Sequence, residues 1–348
     1  MSGLYLVRVA SSARLNGALD AALGGMDVQA LAWQKIASEA AGKRILFAVA
    51  MDEYGPDGQF LALVRALRQN PGCLSGCSGA IVIDGGGELY TKQAAQELTL
   101  AANMAGCAFM GKPLVEGTAS LYNQHILAKQ LELGWYETYV YQIRKLALRL
   151  LAFAPPKFDA PRLLMLHASS NRRSNTVWLG RETLARLPGA VSSRELCLQN
   201  GTIHDCRGCS YDACSHFAES SSCFYGGVLS EEVLPAIVQS DALLLLCPNY
   251  NDAVSANITA LFNRLTSLLV RQDLFEKYVF GIVVSGYSGS DLVARQLLGA
   301  MCLNKTAMLP PEFCLMQTAH DAGTVQRLPD VEKVLNGFAG HIAQVLMQ

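Results

Sequence analysis

Along the second half of the chain, short continuous apolar runs alternate with stretches in which apolar residues return every three or four positions. Leu163–His167, Arg194–Leu198, Ala242–Cys247, Val279–Ser285 and Phe313–Gln317 read as strands. Asn175–Arg186, Glu231–Gln239 capped by Ser230, Ala256–Val270, Asp291–Met301 and Pro329–Met347 read as helices. A run such as Ala242–Cys247, apolar on both faces, suits a parallel strand covered on both sides. The alternation predicts right-handed βαβ units in an α/β, doubly wound parallel sheet.

The first half follows the same order in weaker form. Ala10-Ser11-Ser12 follows the strand Leu4–Val9 as Ala168-Ser169-Ser170 follows Leu163–His167. Ile45–Ala50 and then Met51-Asp52-Glu53-Tyr54 echo Leu243–Cys247 and then Pro248-Asn249-Tyr250. Val82-Ile83-Asp84-Gly85 echoes Val283-Val284-Ser285-Gly286. Three echoes in one order predict a tandem of two such domains, the N-terminal copy degenerate. Trp135–Phe153 has helical spacing, with Tyr139, Ile143, Leu146, Leu150 and Leu151 on one face. Pro155, Pro156 and Pro161 then break the chain, which places the domains at 1–154 and 160–348.

Composition narrows the function classes. Of 348 residues, 51% are apolar and 16% charged, enough for two buried cores. Net charge is −1, so no pervasive basic surface exists to displace counterions from a nucleic acid, and none is expected as partner. No apolar run approaches the roughly 20 residues of a bilayer span, and Met1-Ser2-Gly3 lacks a basic leader. The expectation is a cytoplasmic protein without a membrane partner.

The loop Ala168-Ser169-Ser170-Asn171-Arg172-Arg173-Ser174-Asn175-Thr176 joins a strand to a helix. Its hydroxyls, amides and free N–H groups at a helix N-terminus suit a terminal phosphate, and Arg172 and Arg173 add charge. An ordinary capped helix entry has the same residue types. It is neither a Walker A loop nor a G-x-G-x-x-G turn. In a doubly wound sheet, the loops Pro248-Asn249-Tyr250-Asn251-Asp252 and Gly286-Tyr287-Ser288-Gly289 should share its rim. A planar ring would then rest between Tyr250 and Tyr287.

With Ala168-Ser169-x4-Ser174-Asn175-Thr176, Cys206-x2-Cys209, Cys247-Pro248-Asn249-Tyr250 and Asn263-Arg264 in that order, the segment 160–320 resembles the flavodoxin-like NAD(P)H-dependent FMN reductases and iron–sulfur flavoproteins. Ala168, Cys247 and Asn249 stand where that family has Gly, Ser and an apolar residue. The resemblance implies FMN, its phosphate on Ser169, Ser174, Asn175 and Thr176 and its ring near Pro248, Asn249, Tyr250, Asn251, Ser285 and Gly286. It also implies electron transfer from NAD(P)H through the flavin to a small-molecule or protein acceptor, in a homodimer.

Eleven cysteines are many for a reduced compartment, and four of them, Cys206, Cys209, Cys214 and Cys223, fall within 18 residues. Four thiolates can hold a [4Fe–4S] cluster. They can also hold structural zinc, with His204 and His216 as alternative ligands, act as a redox dithiol, or be purely structural. The rival functions are therefore an iron–sulfur electron-transfer flavoprotein and a non-catalytic flavodoxin-like module. Gly286-Tyr287-Ser288-Gly289-Ser290 misses the hydrolase elbow by its last residue. Gly85-Gly86-Gly87 reads as a turn, and His125, His167 and His341 as structural.

Overall fold

The structure is a computed structural model, which describes residues 3–169, 174–199, 203–219 and 223–347. The chain divides into two compact units, Met1–Ala154 and Pro155–Gln348.

In the first unit the elements are β1 (Leu4–Val9), α1 (Ala13–Leu23), β2 (Val28–Ala30), α2 (Ile36–Glu39), β3 (Arg44–Met51), α3 (Gly58–Gln69), β4 (Ser78–Gly85), α4 (Thr91–Met104), β5 (Ala108–Gly117), α5 (His125–Leu131) and α6 (Trp135–Ala152). The strands are parallel, in the order β2-β1-β3-β4-β5. The second unit holds β6 (Arg162–His167), α7 (Asn175–Ala185), β7 (Ser192–Cys197), α8 (Tyr211–Ala218), α9 (Leu234–Gln239), β8 (Ala242–Pro248), α10 (Ala256–Leu269), β9 (Tyr278–Ser285), α11 (Ser290–Leu298), β10 (Cys314–Thr318) and α12 (Val331–Met347). Its parallel order, β7-β6-β8-β9-β10, is the first order over again. Both are the 2-1-3-4-5 order of flavodoxin-like sheets. The three sequence echoes fall on matching strands: β1 with β6, β3 with β8, β4 with β9.

Burial explains the strand pattern. β9 is buried throughout and β8 up to Cys247, as centre strands covered by helices must be, whereas the edge strand β7 is polar and partly exposed. In α6 the buried stripe is Tyr139, Ile143, Leu146, Ala147 and Leu150. Gly180 brings α7 close to the sheet: a Cβ there would stand 2.7 Å from Leu246 Cδ1 and 2.8 Å from Met165 Sδ.

The structure departs from the helix expectations in three places. Ser230 is no N-cap. The helix begins with a wide π-helical turn, Leu229–Val233, and the buried Ser230 hydroxyl inside it accepts from Arg264 Nη2 at 2.6 Å. The expected helix to Met301 ends as α11 at Leu298 and widens into a second π-helical segment, Gly299–Asn304. α8, inside the cysteine segment, has no counterpart in the sequence reading. It is two turns long, and its Ser210 cap accepts from Ala213 N–H at 3.3 Å.

Candidate functional site

At the C-terminal edge of the second sheet a cleft of about 290 Å³ opens between the β6–α7 connection and the loops after β8, β9 and β10. Eight residues expected from sequence line it: Ser169, Ser174, Asn175, Thr176, Pro248, Asn249, Tyr250 and Gly286. Ser170, Asn171, Arg172 and Arg173 lie outside the described residues.

On the α7 side, Ser174 caps the helix, its Oγ accepting from Val177 N–H at 3.4 Å and standing 3.0 Å from Thr176 Oγ1. Free N–H groups and the helix dipole there favour an anion. The Asn175 side chain is used elsewhere. Its amide donates to Ala319 O (3.3 Å) and Asp321 O (3.0 Å), and its Oδ1 accepts from Gly323 N–H (2.8 Å) and Val325 N–H (3.4 Å). Asn175 thus ties the loop after β10 to the head of α7.

On the opposite side, Asn249 is held by its backbone and its amide nitrogen. Its N–H donates to Val284 O at 2.8 Å, and Nδ2 lies 3.1 Å from Asp252 Oδ1, 3.1 Å from Ser285 Oγ and 3.0 Å from Ser288 O. Its Oδ1 is buried without a partner among the described residues. A buried acceptor left unmade is costly, and one at a cleft wall is satisfied when a ligand brings a donor. Ser285 is fully buried behind Asn249, and Asn251 turns outward with φ 54°; neither lines the cleft.

Tyr287, expected to face Tyr250 across a ring, instead packs on His320 with centroids 4.5 Å apart and its hydroxyl 3.2 Å from Nε2. His320, with Ala319 and Ala322, lines the cleft and was missed from sequence. The sequence carries the signal: the loop after any strand of such a sheet emerges on the ligand rim, and Phe313–Gln317 reads as the last strand. Cys247 lies fully buried in β8, and burial pushes its thiol up to about 12, which makes it a packing residue.

Residues 161–321 match the NADPH-dependent FMN reductases. That match spans a little under half of the chain. No curated protein matches the chain. Solved structures similar to part of the chain include RosB with a bound 8-demethyl-8-formylriboflavin-5'-phosphate intermediate (13% identity, 53% of this chain and 79% of that one, TM-score 0.42). They also include the NAD(P)H:quinone oxidoreductase of Methanothermobacter marburgensis (15%, 53% and 95%, TM-score 0.39) and the apo NADH:FMN oxidoreductase EmoB (15%, 54% and 91%, TM-score 0.38).

The four clustered cysteines meet in a second cavity of about 260 Å³, lined also by Phe217, Phe224 and Tyr225. Burial, then the neighbouring cysteines, raise the Cys214 thiol. Arg264, 3% exposed, lines this cavity too; it donates to His204 O, Gly226 O and Ser230 Oγ, and its Nε has no partner among the described residues. Among the described residues no three His, Cys, Asp or Glu side chains converge on a point that would hold a single metal ion. Also among them, no helix is long and apolar enough to cross a membrane.

In the first unit the matching rim is built differently. Only Ala10–Ser12 join β1 to α1, where Ala168–Ser174 join β6 to α7. Arg14 crosses the rim, bonding Asp84 Oδ1 (2.7 Å), Gly85 O (2.9 Å) and Ala119 O (2.7 Å), and Ser12 Oγ donates to Asp84 Oδ2 (2.6 Å).

Proposed function

We propose that the second unit binds FMN in the cleft and passes electrons from NAD(P)H to an acceptor. Ser169, the hydroxyls of Ser174 and Thr176 and the first N–H groups of α7 would receive the phosphate. Pro248, Asn249, Tyr250 and Gly286 would receive the ring. Bound there, FMN supplies hydride acceptance and electron delivery. The chain supplies fixed donors at one end and, at the other, an unsatisfied acceptor, Asn249 Oδ1, aligned by three contacts to its own amide nitrogen. That acceptor, on a cleft whose far end is a helix N-terminus, carries the reading. Arg14 and Ser12 occupy the short β1–α1 rim of the first unit with bonds to Asp84, Gly85 and Ala119, so one FMN per chain is proposed, and the resemblance adds a homodimer, to be tested by sedimentation. Titrating the purified protein with FMN, then adding NADPH anaerobically, tests the reading. One flavin bound per chain and bleaching of its visible bands are expected; protein that takes up no FMN refutes it.

A second reading concerns the cysteine cavity. Cys206, Cys209, Cys214 and Cys223 line one cavity, and four thiolates are what an iron–sulfur centre requires. The buried Arg264 guanidinium, whose Nε has no partner among the described residues, suits an anionic occupant. Such a centre would make the protein an electron relay. Iron and sulfide analysis of anaerobically prepared protein decides it: four of each per chain supports the centre, and none rejects it.

A further inference from the structure

We propose that His167 is a positioning residue for the phosphate of FMN, holding Ser169 and α7 in register through Glu195 and Arg181. The proposal rests on the FMN reading above. His167 is the last residue of β6, 4% exposed, and both ring nitrogens are used. The Ser169 N–H donates to Nδ1 at 3.3 Å. With Nδ1 accepting, the neutral ring carries its proton on Nε2 and donates it to Glu195 Oε1 at 3.0 Å.

Glu195, on β7, is gripped from the other side by Arg181, whose Nη2 lies 2.7 Å from Oε1 and whose Nε lies 3.0 Å from Oε2. Arg181 belongs to α7. One carboxylate therefore references both flanks of the phosphate end: Ser169 through the imidazole and α7 through the guanidinium. The Ser169 carbonyl is held as well, accepting from Cys197 Sγ at 3.6 Å. Ser169, Ser174 and Thr176 line the same cleft, so the spacing of their donors is set by this chain of bonds. Hydrogen bonds to phosphate oxygens weaken steeply when donors are misaligned, so slack in the chain should be read out as lost phosphate affinity. A histidine that merely fills the core would not distinguish a flavin with a phosphate from one without.

That difference is the test. Dissociation constants for FMN and for riboflavin, which lacks the phosphate, are measured by flavin fluorescence on the full chain carrying His167→Leu, His167→Asn or Glu195→Gln. His167→Leu is expected to weaken FMN about tenfold, the worth of one charge-assisted bond, and to leave riboflavin unchanged. His167→Asn keeps an acceptor for the Ser169 N–H and should retain most FMN affinity. Glu195→Gln, which preserves shape, serves if His167→Leu does not fold, and should also weaken FMN alone. Equal losses for both flavins, or no loss, overturn the proposal. Wild-type protein that binds neither flavin overturns the FMN reading and this proposal with it. Wild-type protein that binds both equally rejects the phosphate site alone.

Discussion

Replacing Asn175 by alanine removes the link between α7 and the loop that carries His320. Of its four side-chain hydrogen bonds, those to Asp321 O and from Gly323 N–H are short, at 3.0 and 2.8 Å, while the other two, at 3.3 and 3.4 Å, add little. At roughly 0.5–1.5 kcal/mol for each good bond, with a smaller share from the two long ones, the loss is about 2–3 kcal/mol. For a unit of this size that lowers Tm by roughly 4–12 °C. Trp178 is the second unit's tryptophan, while Trp33 and Trp135 belong to the first, so a background with both of those changed to Phe reports the second unit's unfolding alone. Hydrogen exchange supplies the local readout. The Gly323 amide loses its side-chain acceptor and should exchange at nearly the rate of an open loop. Because Ala319, His320 and Ala322 line the cleft, FMN affinity should fall about tenfold as well. An unchanged Tm together with unchanged exchange across 319–328 would refute the assignment of Asn175 as the tie.

Other expectations concern different bonds. In the first unit, Arg14→Met leaves Asp84, 3% exposed, without its cation, and should cost about 3 kcal/mol in urea unfolding; adding Asp84→Asn should restore part of that, and no loss would show the pair to be idle. Gly180→Val drives methyl groups into Leu246 and Met165, both fully buried, and should cost about 3 kcal/mol by denaturant midpoint. The Glu195 carboxyl is held below the usual carboxylate range, first by its bond from Arg181. A lowered folded-state pKa gives stability that is complete above the unfolded value of about 4.3 and is lost as pH falls through the folded value. Urea midpoints followed downward from roughly pH 6 should therefore drop less in Glu195→Gln than in wild type; parallel curves would remove Glu195 from the acid response.

Much of the architecture was legible in the sequence, because strand and helix periods and chain breakers are local properties. Continuous apolar runs such as Ala242–Cys247 announce centre strands, and the prolines after Phe153 announce a break. The rim rule then places Ser169, Ser174, Thr176, Pro248, Asn249, Tyr250 and Gly286 around one cleft without coordinates. What the sequence could not determine depends on which partner captures a polar group in space. Asn175 looks like a phosphate ligand by position, yet its amide goes to a loop nearly 150 residues away. Ser230 has the chemistry of a cap, but Arg264 claims its hydroxyl from another helix. Tyr287 turns to His320, and His167, bland on its own strand, joins Ser169 to Glu195 across the sheet. Residue type and spacing determined the elements and the rim. Only tertiary packing decided the partners, since a hydrogen bond spans about 3 Å and sequence distance does not measure that.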